Sequence, residues 1–125
     1  MTLENKKVVF IIAPQNFRDE ELLEPKTVLE QHKAKISIAS KNTKQAFGKL
    51  GAVVNTDLDY SEIKPENYDA IIFVGGPGAY DFFTDPVALQ LAQDAYAQNK
   101  IIAGICSAAS ILANAGILKG KKATA

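Results

Sequence analysis

The sequence is short of the side chains on which most site chemistry is built. One cysteine, Cys106, has no partner for an intramolecular disulfide, and a cysteine-cluster metal site is excluded. One histidine, His32, excludes a histidine-rich metal site as well. Lys plus Arg number 14 and Asp plus Glu number 14, so the formal net charge is zero. A nucleic-acid-binding surface is ordinarily announced by a basic excess, and none is present. No block of like charges marks a tail or a membrane patch. The apolar run from Val8 to Ala13 is far too short to cross a bilayer. Pro14, Gln15 and Asn16 end it with no small-residue cleavage site, so it does not read as a signal peptide. A cytoplasmic location is expected.

What is there is core-forming material. Apolar residues make up 47% of 125, enough for one domain with a real core, read as spanning residues 1–125. Val8–Ala13 and Ala70–Val74 are continuous apolar runs rich in β-branched residues, the pattern of strands buried on both faces, and Ile36–Ala39 and Ile101–Ile105 read as two further short strands. Residues 48–59, with Val53 and Val54, read as strand or hairpin. Between the runs, Leu22, Leu23, Val28 and Leu29 recur at helical spacing up to about His32, and 86–99 form a second helical pattern with Pro86 in its first turn. A helix of small residues is predicted from Cys106 to Ala115, stopped by Gly116, and residues 120–125 resemble the start of a further strand. Strands alternating with helices predict an α/β architecture with a mostly parallel sheet.

Ligands of such sheets bind beyond the carboxyl ends of the strands, which here means the loops after Ala13, Val74 and Ile105. In the third loop, Cys106 stands between a buried strand and a helix of small residues. A sharp strand-to-helix turn there would expose its sulfur, and the helix start would favour a thiolate. A packed structural cysteine is the other reading. In the second loop, Gly75-Gly76-Pro77-Gly78 lets backbone amides approach a ligand or an oxyanion, or simply makes a tight turn. It fits neither a phosphate loop nor a dinucleotide fingerprint, for Asp81 stands where the last glycine of the latter belongs. The first loop leads to Asp19, Glu20, Glu21 and Glu24. Acids at a helix start are ordinary dipole partners. Glu21 differs because Pro25, four residues on, has no amide to give its carbonyl. Either the helix runs irregularly through this segment or it starts near Glu24. His32, at the predicted helix end, is far from these loops, so Cys–His catalysis within these residues is hard to build.

Taken together, the opening strand, Glu21-Leu22-Leu23-Glu24-Pro25, Gly48-Lys49-Leu50-Gly51, Tyr68-Asp69-Ala70, Gly75-Gly76, Ile105-Cys106 and Ala115-Gly116-Ile117-Leu118-Lys119-Gly120 resemble the ThiJ/PfpI superfamily in order and spacing. The resemblance implies a flavodoxin-like three-layer sandwich, a homodimer, and neither cofactor nor metal. It implies Cys106 as the reactive cysteine, Glu21 as the acid bonded to its sulfur, and oxyanion-hole amides at Gly76 and Ser107. The sequence departs from the family in carrying Ser107 where many hydrolase-like members have histidine, which counts against peptidase activity. Ala108-Ala109 replaces the common Gly-Pro. Members also run several tens of residues further, so the C-terminal part of the fold is expected to be missing.

The function so implied is a cysteine-dependent enzyme acting on small reactive carbonyls or their glycated adducts, of glyoxalase or deglycase type, in stress protection. A redox-sensing or chaperone-like protein with an oxidisable cysteine, or a catalytically inactive relative, is the alternative. A glutamine-amidotransferase-like hydrolase would need a late His-x-Glu pair, which is absent.

Overall fold

Four apolar runs cannot each stand alone in water, and pairing them side by side satisfies their backbones while burying their side chains. The computed structural model describes residues 2–121. Strand β1 (Lys7–Ile11) lies between β3 (Lys35–Ser40) and β7 (Ala70–Phe73), parallel to both. Strand β8 (Ile101–Gly104) extends the sheet beyond β7, and the two-residue β6 (Leu58–Asp59) extends it beyond β3. The resulting order is β6-β3-β1-β7-β8 with every pair parallel. Val9, Phe10 and Ile11 of β1 and Ile71 and Phe73 of β7 are fully buried, each such side chain stabilising the fold by about 2 kcal/mol. Asp69, just before β7, ties the strand entrances together: its carboxylate accepts from the Lys7 amide at 2.8 Å.

Helix α1 (Asp19–Gln31) links β1 to β3, and α2 (Pro86–Ala97) links β7 to β8. The two crossovers step outward in opposite directions. Right-handed connections therefore put α1 and α2 on opposite faces of the sheet, the doubly wound, flavodoxin-like arrangement. Helix α3 (Ala109–Asn114) packs on α2 and β8. Helix α2 starts on the Asp85 cap, whose carboxylate accepts from the Val87 and Ala88 amides.

Several local expectations need correction. The stretch 14–18 is not only loop: β2 (Gln15–Phe17) pairs parallel with β4 (Gln45–Gly48), which forms a hairpin with β5 (Val53–Asn55) in a second, three-stranded sheet. A three-residue strand leaves no periodicity to read. Of the two starts the sequence left open for α1, the helix takes the earlier, at Asp19, and runs through Pro25. The predicted helix 106–115 is a 3-10 turn at Cys106–Ala108 followed by the short α3. Cys106 has φ +54°, which a right-handed helix cannot contain. The expected strand start at 120–125 falls mostly outside the described residues. Gly120 and Lys121 lie in a turn, with the Lys121 amide bonded to Leu118 O.

Candidate functional site

The parallel register brings three loops level at the carboxyl end of β1, β7 and β8. Hydrogen bonds beyond the strands keep them so: Ile12 N to Ala39 O, Val74 N to Ile11 O, and Ile105 N to Phe73 O, each at 3.0 Å. Cys106 follows at once. Its left-handed backbone is rare for a residue with a side chain, costs about 1–3 kcal/mol, and turns the chain abruptly from β8 into the 3-10 turn. The side chain is exposed and the thiol is free. Facing it is the glycine loop. A Cβ on Gly75 would lie 2.5 Å from both Glu21 Oε1 and Ile105 O and 3.2 Å from Ser107 Oγ, so only glycine lets these three groups converge. Gly76 has φ +103°, and a Cβ there would meet the Arg18 amide at 2.5 Å. Ser107 Oγ donates to Gly76 O at 3.2 Å, tying the elbow to the glycine loop. Cys106, Glu21, Gly76 and Ser107 are thus brought together. His32 is not among them, for it caps the opposite end of α1.

Glu21 is the electrostatically unusual member. Burial pushes its carboxyl above the ordinary glutamate value. The Gly75 amide, the Arg18 charge and the Cys106 thiol favour the anion and offset part of that rise, while the Glu20 charge adds to it. Neither amide nor thiol completes a well-formed hydrogen bond to Oε1, which is buried without a partner among the described residues. A carboxyl in this position holds its proton to higher pH than a solvated one and can give it up or take it back beside a sulfur.

Residues 6–125 match the sequence model of the DJ-1/PfpI family. The chain belongs to the DJ-1/PfpI family. An uncharacterized protein of Methanocaldococcus jannaschii is 39% identical over 98% of this chain and 60% of its own length. A deglycase of Pyrococcus horikoshii is 33% identical over 94% of this chain and 70% of its own. The chain therefore spans 60% and 70% of these two relatives. Among solved structures, the ThiJ/PfpI domain protein of Brachyspira murdochii superposes with TM-score 0.88 at 37% identity, covering 92% of this chain and 66% of that one. Oxidized Toxoplasma gondii DJ-1 superposes with TM-score 0.86 at 30% identity, covering 96% and 66%.

Two neighbours of the site in this DJ-1/PfpI chain escape sequence reasoning. Asp19, read only as a helix-start acid, is 7% exposed and accepts from the Leu50 and Ala52 amides, both at 2.8 Å. It clamps the turn of the β4–β5 hairpin onto the start of α1, and Gly48 leaves room for the carboxylate. This gives the Gly48-Lys49-Leu50-Gly51 segment its physical role. Burial pushes the Asp19 carboxyl up, but the two amides, its own amide and Arg18 outweigh it and hold it below the ordinary aspartate value. Arg18 carries the other missed signal, a lone cation heading the acidic run Asp19-Glu20-Glu21. No group of three or more His, Cys, Asp or Glu side chains arranged to hold a metal occurs among the described residues. No helix among them is long and apolar enough to cross a membrane.

Proposed function

We propose that this chain carries the cysteine site of a cofactor-independent enzyme that acts on small reactive carbonyls or their glycated adducts. The observation that carries the reading is the convergence at Gly75 of the left-handed Cys106 turn with Glu21, whose carboxyl burial pushes above the ordinary value. Deglycase relatives support it from outside. With methylglyoxal, the Cys106 sulfur adds to the aldehyde carbon, and Glu21 protonates the oxygen, which the Gly76 and Ser107 amides stabilise as it gains charge. Glu21, now ionised, takes the proton from the former aldehyde carbon and returns it to the neighbouring carbonyl carbon. The aldehyde carbon is thereby oxidised to a thioester and the ketone reduced to an alcohol. Water cleaves the thioester, releasing lactate and the thiol, so methylglyoxal plus water gives lactate with no outside oxidant. With Ser107 in place of a histidine, Glu21 is the one proton carrier the reading supplies. Lactate formation abolished in Cys106→Ala supports this function, and equal turnover in that variant overturns it.

A second reading, a stress protein sensing peroxide, is favoured by the exposed free thiol and by the oxidized state of the Toxoplasma gondii relative. Two equivalents of peroxide would carry Cys106 through the sulfenic to the sulfinic acid, each releasing one water. Intact mass after mild peroxide is the check. A thiol that survives doses oxidising an exposed control thiol removes this reading. The proposal places the protein in the reducing cytoplasm as a homodimer. Leu23 of α1 and Val53 of β5 line one groove and are 41% and 58% exposed, with Leu50 nearby in the hairpin turn at 67%. Sedimentation equilibrium reporting only monomer at micromolar concentration would remove the dimer.

A further inference from the structure

We propose that Arg18 gives the Cys106 site a preference for carbonyl compounds that also carry a carboxylate. The inference deepens the carbonyl function above and rests on it. Arg18 stands between β2 and α1, and its backbone is anchored on the glycine loop: its amide donates to Gly75 O at 3.0 Å and lies against Gly76. Its side chain is 48% exposed, so a small molecule can reach it. Nε is taken by Glu20, and the guanidinium makes no other hydrogen bond among the described residues. The free terminal edge, with its two Nη groups, is the one that holds a carboxylate through two parallel N–H···O bonds. The Arg18 cation is favoured first by the hydrogen bond and charge of Glu20 and, more weakly, by Glu21 and Cys106, with burial opposing it slightly.

The substrate so selected is a 2-oxoaldehyde with a carboxylate at the far end of a short carbon chain. For 4,5-dioxopentanoate, the sulfur adds to the aldehyde carbon, Glu21 moves one proton to the adjacent carbon, and water releases 2-hydroxyglutarate. Aldehyde oxidation and ketone reduction balance within the substrate. Arg18 touches only the distal carboxylate and takes no part in bond making.

Cys106 is the single thiol of the chain, so alkylation reports on the site without turnover. Iodoacetate and iodoacetamide deliver groups of similar size with and without a negative charge. Relative to free cysteine, the ratio of their rate constants is expected to be about tenfold higher in the unmodified chain than in Arg18→Gln. Added salt should erase the difference. Arg18→Lys, which keeps the charge and loses the fork, should fall between. A ratio that Arg18→Gln leaves unchanged overturns the proposal. In turnover, kcat/KM for 4,5-dioxopentanoate should exceed that for methylglyoxal, chiefly through KM, and Arg18→Gln should collapse that excess. Equal kcat/KM values in the unmodified chain overturn the substrate class. Failure to turn over either compound, with an alkylation ratio that still depends on Arg18, strikes the carbonyl chemistry and upholds Arg18 as the anion-recognising residue. The two failures are therefore told apart.

Discussion

Asp85, at the start of α2, and Glu21, within α1, are carboxylates with oxygens withdrawn from water, and their surroundings treat them in opposite ways. Asp85 accepts from the Val87 amide at 2.9 Å, the Ala88 amide at 3.2 Å, and both Tyr60 Oη and Lys41 Nζ at 2.8 Å. Burial pushes its carboxyl up, but Lys41, Tyr60 and the two amides outweigh it and hold the group below the ordinary aspartate value. Glu21 meets comparable desolvation with fewer donors, keeps Oε1 unpartnered, and is raised. The first arrangement serves the fold, joining the end of β3, the turn at Tyr60–Glu62 and the cap of α2 through one anion. The second raises the pH at which the carboxyl gives up its proton, the property on which the proposed proton transfer draws. Satisfied and unsatisfied buried acids thus mark two uses of the same functional group.

The contrast is broken hardest at Asp85. Asp85→Ala removes the cap, strands the Tyr60 hydroxyl in a site where the residue is 5% exposed, and unpairs Lys41. A destabilisation of about 3 kcal/mol is expected from urea unfolding. A loss below about 1 kcal/mol would show that the cluster is not the brace described here.

Glu21→Gln is the converse. The neutral isostere removes a carboxyl that burial makes costlier to ionise, so folding stability should stay within about 0.5 kcal/mol of the unmodified chain or rise. Carbonyl turnover should fall about 100-fold with loss of the proton carrier. Unaltered turnover, or unfolding as easy as in Asp85→Ala, would erase the distinction between the two acids.

The smallest effects lie in the pH dependence of stability. For Asp85 and Asp19 the folded value is depressed, so their contribution is complete above the ordinary aspartate value of about 3.9 and is lost as pH falls below it. For Glu21 the folded value is raised. Stability is therefore lost as pH climbs from the ordinary glutamate value of about 4.3 through the folded one. Urea titrations across this range should show the penalty of Asp85→Asn shrinking on acidification. Glu21→Gln should gain on the unmodified chain as pH rises toward 7. Differences that run in the same direction in both variants would refute the opposed shifts.

The central sheet was legible because burial on both faces writes itself into contiguous runs such as Val8–Ala13 and Ala70–Val74. The turn after Ile105 was legible because a lone cysteine between a strand and a run of small residues is a local pattern. The two glycines after Val74 are local as well. Helix α1 was half legible: its apolar spacing was plain, but Pro25 left its start open until tertiary contacts decided it. The clamp made by Asp19 was not legible, because its partners Leu50 and Ala52 lie more than thirty positions away.

Composition, apolar runs and motif spacing were thus enough for a parallel α/β sheet, for its loops at one end, and for membership of the DJ-1/PfpI family. Periodicity and spacing are short-range properties that the chain carries in any conformation. The second sheet, the left-handed Cys106, the brace around Asp85 and the free edge of Arg18 belong to the tertiary structure alone. So do the opposite shifts of Asp19 and Glu21. Each depends on which donors, carbonyls and apolar atoms surround a group once distant segments meet, and a buried charge is governed by that surrounding rather than by its neighbours in sequence.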